Sequence, residues 1–219
     1  LLCVAIAQRR RGPNSPVVYY LARFAVRLLM LMLFRIQVVG RSNVPEAGAV
    51  IICSNHFSNW DPVFIGCFIP RTVSFMAKDE LFRFPPFGAL LRALHTFPVR
   101  RGAGDRGAIR AALDVLAAGS VLVMFPEGHR RRSGRVESLE RGAGLLATRS
   151  DAFVVPVAVC GSYRLFGHVR LTFGQPFTFS GSQGEAKGTQ KGSAVLATKE
   201  IALRMRTVLE DCQHGAASH

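Results

Sequence analysis

Ala49-Val50-Ile51-Ile52-Cys53-Ser54 is a short, apolar, β-branched run, and Asn55-His56-Phe57-Ser58-Asn59-Trp60-Asp61-Pro62 follows it without a break. A run of this kind reads as a strand buried on both faces of a parallel or mixed sheet. The polar stretch after it is a turn, and Asp61-Pro62 opens a helix. Similar runs occur at 72–77, 96–99, 120–125, 153–159 and 169–173. Between most of them lie helical stretches, at 62–69, 87–94, 105–118 and 139–149, and 194–211 forms a closing basic helix. The stretch 105–118 is amphipathic and stops at Gly119. Strands alternating with helices give an α/β class with a mixed, mostly parallel central sheet flanked by helices.

Upstream of that domain, taken as residues 40–219, the stretch 17–39 reads VVYYLARFAVRLLMLMLFRIQVV. It is long enough to cross a bilayer, but Arg23, Arg27 and Arg35 interrupt it, each costly at the bilayer centre. Arg23 and Arg27 lie one turn apart. The pattern suits an amphipathic helix, or one of a helix pair, in a membrane-associating segment over 1–39. Arg would reach lipid phosphates and apolar side chains would enter the acyl region. Packing of the same helix on its own domain is the alternative. The opening LLCVAIAQRRR has its apolar residues before its charges, the reverse of a secretory signal, and is taken as the remnant of an upstream segment.

Composition narrows the partners. With 219 residues, 49% of them hydrophobic, the chain can bury one sizeable core. Lys+Arg number 28 against 14 Asp+Glu, a net charge of +14. Such a surface seeks polyanions: nucleic acid, an anionic membrane or phosphorylated substrates. Five scattered cysteines without a CxxC are expected to be small, buried, reduced thiols rather than a disulfide framework or a zinc site.

Two turns carry the chemistry. A His and an Asp five residues apart, across a strand-to-helix turn, can meet. The carboxylate then fixes the tautomer of His56 and leaves the other ring nitrogen free to take a proton. The competing reading is purely local: Asp61-Pro62 is a helix start, and Asn55 and Ser58 are ordinary turn formers. A Ser-His-Asp hydrolase does not fit, because Ser58 is two residues from His56 and no G-x-S-x-G exists. The second turn is Phe125-Pro126-Glu127-Gly128-His129-Arg130, after another buried run. Its backbone N–H groups and the following arginines can hold a phosphate, or simply form a solvated basic loop. A third run, Phe97-Pro98-Val99-Arg100-Arg101, ends on two more cations. Gly102 to Gly107 matches G-x-G-x-x-G but lacks the compact βαβ arrangement of a dinucleotide site.

Together these blocks resemble the glycerolipid acyltransferase family, which includes the 1-acyl-glycerol-3-phosphate acyltransferases. The family's NHxSxxD block stands as NHFSNWD, its FPEG block as FPEGHRR, and its apolar strand about a proline as VVPVAV around Pro156. A further block, AKDELFRFPPFGALLRALHTFPVRR, ends at Arg101. All four come in the family's order, and the resemblance covers about 17–179. The resemblance implies that His56 deprotonates an acceptor hydroxyl while Asp61 orients and charge-balances it. Arg101 and Arg130 would hold the acceptor's phosphate, and Glu127 and Gly128 would shape its pocket. Asn55, Ser58, Pro126, Arg141 and Pro156 would support them. It further implies acyl-CoA or acyl-ACP as co-substrate, with no cofactor and no metal, lysophosphatidic acid or a related lysolipid as acceptor, and no nucleic acid. The setting would be peripheral or monotopic on the cytoplasmic face of an anionic membrane. The chain departs from the pattern at His95, His129, Arg131 and Glu140, the last standing where the resemblance implies a lysine; all but His95 fall where the head group or donor is expected, which bears on which acceptor is used. A basic nucleic-acid-binding protein and an inactive membrane-binding relative are the competing classes. Most of the 16 Phe lie in apolar runs rather than among the cations, against the first. The complete His56/Asp61 pair speaks against the second.

Overall fold

A computed structural model describes residues 16–99, 106–130, 136, 139–179 and 190–217. Helix α1 (Pro16–Leu33) leads into strand β1 (Arg35–Val39). There follow β2 (Val50–Ser54), α2 (Asp61–Phe68), β3 (Val73–Lys78), α3 (Pro85–Ala93), β4 (Thr96–Val99), α4 (Arg106–Ala117) and β5 (Val121–Met124). The chain ends with α5 (Gly142–Arg149), β6 (Phe153–Gly161), β7 (His168–Phe173) and α6 (Gln190–Ala217). The seven strands form one sheet in the order β1-β7-β6-β2-β5-β3-β4. Every neighbouring pair is parallel except β6–β7. This is the mostly parallel α/β sheet expected from the alternating runs.

Both faces of the sheet are covered, which is why its central strands read as unbroken apolar runs. Val50 and Ile52 of β2 face one layer with Phe64, Ile65 and Met30 from α2 and α1. Ile51 and Cys53 point the opposite way, toward Ala112, Leu146, Ile201 and Met205 of α4, α5 and α6. Helix α6 lies against α5 at Gly144, where an added Cβ would be about 2.1 Å from the Ala194 carbonyl oxygen. Only a residue without a side chain permits that approach.

Two expectations change. The segment 17–39 is not one helix: α1 ends at Leu33, and Arg35–Val39 pairs with His168–Thr172 as the parallel edge of the sheet. Nor does Arg23 reach outward. Its guanidinium donates to the backbone carbonyls of Ile69 and Arg71, and the Arg27 guanidinium lies 5.1 Å from the Phe68 ring centroid. The cations face the domain, Arg23 on the carbonyls just past α2 and Arg27 over Phe68, so the outer face of α1 is left to Leu21, Phe24, Leu28 and Met32. Among the described residues no helix is long and apolar enough to cross a membrane.

The cysteines divide. Cys53 and Cys67 are free and buried, as expected. Cys160 of β6 and Cys212 of α6 form a disulfide, with Cα atoms 6.3 Å apart. That pairing corrects the expectation of unpaired thiols for these two. It arises because α6 packs along β6, a proximity that a separation of 52 residues does not announce.

Candidate active site

The pairing of Cys53 with Met124 places the ends of β2 and β5 side by side, so the two polar turns leave the sheet together at its carboxyl edge. The His56 ring stacks on Phe125, with centroids 4.2 Å apart and an interplanar angle of 27°. The backbone N–H of His56 makes a long hydrogen bond of 3.4 Å to Glu127 Oε2. Thus the second turn supports the first from one side. Asn55 supports it from the other: its amide donates to the Val159 carbonyl at 2.9 Å and accepts from the Val159 N–H at 2.8 Å. A side chain thereby takes the place of a strand residue and extends the β2–β6 ladder past Ser54.

Asp61 settles the choice between a helix cap and a partner for histidine. It is the first residue of α2, yet no side chain caps that helix's N–H groups. Its carboxylate turns back instead. Oδ2 accepts from His56 Nδ1 at 2.9 Å and from the backbone N–H groups of Phe57 and Ser58, each at 2.8 Å. The carboxylate is fully buried, while the His56 side chain is 14% exposed. An acceptor of this kind requires the proton on Nδ1, which leaves Nε2 as the basic nitrogen, facing away from Asp61. Ser58 has a turn role: its Oγ accepts from the Trp60 N–H and its carbonyl from the Asp61 N–H.

The structure adds Tyr163, which nothing in the motifs singled out. From the loop after β6 its hydroxyl donates to Asp61 Oδ1 at 2.5 Å. Burial pushes its pKa well above the ordinary phenol value, and the Asp61 charge and the hydrogen bond push the same way. The phenol is therefore a fixed donor. Its ring packs against Phe34, Phe57 and Phe64. A tyrosine 102 residues from its partner has no sequence signal beyond its place after a buried strand.

The acyltransferase family profile matches residues 35–160, more than half of the chain and both turns. The chain belongs to the acyltransferase family. A 1-acyl-sn-glycerol-3-phosphate acyltransferase of Bacillus subtilis (strain 168) is 31% identical over 160 residues, 69% of this chain and 78% of that protein. One from Streptococcus pneumoniae is 32% identical over 137 residues, 59% of this chain and 50% of that protein. The chain thus spans most of the first relative but only half of the second. A crystal structure titled as the 1-acyl-sn-glycerophosphate (LPA) acyltransferase PlsC of Thermotoga maritima superposes with a TM-score of 0.63. The alignment covers 92% of this chain and 88% of that one at 22% identity, a likeness of fold.

In this acyltransferase the other expected site residues fall in four groups. Pro126, Glu127 and Gly128 form a turn closed by the Gly128 N–H to the Phe125 carbonyl at 3.1 Å, and Gly128 has the left-handed φ of 72° that such a turn favours. Pro126 and Glu127 are buried beside His56. Arg130 and Arg141 are exposed, beyond that turn and at the start of α5 respectively. Pro156 sits in β6 opposite Cys53, one position before the Ser54–Val157 pair. Its carbonyl accepts from Gly174 just past the last β6–β7 pair, so its missing N–H interrupts no ladder. Arg101, like Arg131, lies outside the described residues. It follows β4, whose parallel pairing with β3 brings Val99 to the same edge of the sheet.

Proposed function

We propose that this acyltransferase moves a fatty acyl group from acyl-CoA or acyl-ACP to the sn-2 hydroxyl of 1-acyl-glycerol-3-phosphate. The product would be phosphatidic acid, and the step one of phospholipid biosynthesis. The observation that carries the reading is the His56–Asp61 pair, held through Nδ1 with Nε2 facing outward. His56 Nε2 takes the acceptor's hydroxyl proton as the oxygen attacks the thioester carbonyl. The tetrahedral intermediate collapses, the carbon–sulfur bond breaks, and the imidazolium returns its proton to the leaving thiolate. Buried and hydrogen-bonded, Asp61 offsets the charge that His56 gains during the step. No acyl-enzyme forms and no cofactor is needed.

Arg101 and Arg130 hold the acceptor's phosphate, with Arg141 in support, and Glu127 and Gly128 shape the pocket. The enzyme works at the cytoplasmic face of an anionic membrane as a peripheral or monotopic protein, with the apolar outer face of α1 against lipid. The net charge of +14 suits both anionic lipid and an acidic donor.

A second reading, transfer to a different lysolipid, is favoured by Glu140. Its N–H donates to the Pro126 carbonyl at 2.6 Å, and its side chain lies against Gly128. The resemblance puts a lysine there, so a negative charge stands where the acceptor's head group would bind. The test is acyl transfer from a long-chain acyl thioester to lysophosphatidic acid, with His56→Ala alongside. Transfer by the wild type that falls about 10²–10⁴-fold in the variant supports reaction and base together. Acylation of another lysolipid instead supports the second reading, and no transfer to any acceptor overturns both.

A further inference from the structure

The loop Ser162–Gly167 between β6 and β7 points two large apolar side chains into solvent: Leu165 is 64% exposed and Phe166 62%. Backbone hydrogen bonds tie this tip to its surroundings. The Phe166 N–H donates to the Leu33 carbonyl at 2.7 Å, the Gly167 N–H to Arg164 at 2.7 Å, and the Ser162 N–H to His168 at 2.8 Å. Phe166 has a φ of 58°, a left-handed conformation that is costly for a bulky residue. Backbone bonds on both sides hold an aromatic ring outward at a conformational cost, which burial in water-free surroundings would offset.

The tip adjoins two other exposed features. One is the end of α1, through the bond to Leu33. The other is Trp60, 43% exposed, whose ring lies 6.4 Å from Phe34 at the α1–β1 junction. Trp60 is also the residue before Asp61, in the turn that carries His56, and the loop 162–167 leaves β6 at the same edge of the sheet because β6 runs parallel to β2. Arg35 and Arg164 are exposed beside it.

We propose that Trp60, Leu165 and Phe166 form a second point of insertion into a lipid bilayer, distinct from the face of α1 and located at the mouth of the site. The occupant is an anionic membrane for three reasons on the molecule itself. The feature is a protruding aromatic and aliphatic tip, not a groove that would receive a partner's side chains. Two exposed arginines, Arg35 and Arg164, flank it in the chain and can meet lipid phosphates while the apolar side chains enter the acyl boundary. Tryptophan, moreover, favours that boundary, its ring apolar and its N–H wet. The proposal rests on the membrane reading above and deepens it: the bilayer is met by the rim of the site as well as by the helix.

The chain's single tryptophan makes a direct test possible. The full protein is mixed with vesicles of phosphatidylcholine containing phosphatidylglycerol, with and without lipids brominated in the upper acyl chain. The expected result is a blue shift of Trp60 emission and quenching by the brominated lipid. The double variant Leu165→Ser/Phe166→Ser should bind the vesicles at least about tenfold more weakly. Its melting temperature and its activity on a short-chain, water-soluble acceptor should stay near those of the wild type. Sedimentation with vesicles without any change at Trp60, or equal binding by the double variant, overturns the tip and leaves membrane attachment through α1 standing. Failure to bind any vesicle overturns both. Insertion of Trp60 without acyl transfer to any acceptor supports the tip while the proposed reaction fails.

Discussion

Replacing Asp61 by asparagine and by alanine separates its electrical role from its architectural one. Four donors converge on this fully buried carboxylate: the N–H groups of Phe57 and Ser58, His56 Nδ1 and the Tyr163 hydroxyl. Alanine leaves the two amides and the phenol without an acceptor in a buried place. At about 1–3 kcal/mol for each unsatisfied donor, the loss is about 3–9 kcal/mol. A domain's whole stability is about 5–15 kcal/mol, so Asp61→Ala should be recovered poorly or melt far below the wild type. Asparagine keeps an oxygen in the Oδ2 position for three of the donors, and the phenol can rotate to accept from the new amide. What asparagine lacks is the negative charge opposite the imidazolium. Asp61→Asn should therefore fold with a melting temperature within a few degrees of the wild type and lose about 10²–10⁴-fold in kcat. Thermal unfolding and acyl transfer from a thioester donor read the two effects separately. A folded Asp61→Asn enzyme with kcat within threefold of the wild type would refute the general-base reasoning. An Asp61→Ala protein as stable as the wild type would refute the hydrogen-bond accounting.

Tyr163→Phe removes one hydrogen bond to a charged acceptor. It should lower kcat about tenfold with little change in KM, while Tyr163→Leu, which also empties the aromatic packing, should lower the melting temperature as well. Arg71 donates to the carbonyls of Pro45, Gly48 and Gly119 at 2.9, 2.8 and 2.7 Å. It ties three loops at the far end of the sheet from the site, so Arg71→Leu should cost about 2–4 kcal/mol in denaturant unfolding with kcat of the remaining folded enzyme unchanged. Burial pushes the Cys53 thiol up to about 12 from its ordinary 9.0. Between those values the unfolded chain releases a proton that the folded chain keeps. Cys53 should therefore contribute a fall of about 1.4 kcal/mol per pH unit on raising the pH through that window, and none below pH 9. A Cys53→Ala variant whose stability declines just as steeply there would contradict this. An alkylating reagent at pH 8 should label Cys53 only after unfolding.

The parts of the molecule that were legible from its residues are those whose cause is local. The run AVIICS is apolar up to Cys53 because its strand is covered on both faces, and the polar residues after it are at the sheet's carboxyl edge because they follow directly on that strand. His56 and Asp61 were readable as a pair because five residues of turn suffice to bring them together. Arg35–Val39 was not legible as a strand. RIQVV continues the apolar character of α1, and only its pairing with β7, some 130 residues on, makes it an edge. The inward turn of Arg23 depends on carbonyls at the end of α2, and the role of Asn55 on a strand 104 residues later. Tyr163 and the Cys160–Cys212 bridge are likewise products of packing between distant segments. For these, spacing along the chain carries no signal.

Only Phe34 stands between the last residue of α1 and the first of β1. Its N–H still bonds to the Met30 carbonyl, and the next N–H, from Arg35, bonds to Gly167. There is accordingly no hinge between helix and sheet. Any surface that sets the tilt of α1 sets the bearing of the whole sheet with it, as the handle of a key sets its blade. The distance from that surface to His56 is a built-in dimension of the protein, and a few glycines inserted after Leu33 would be enough to lose it.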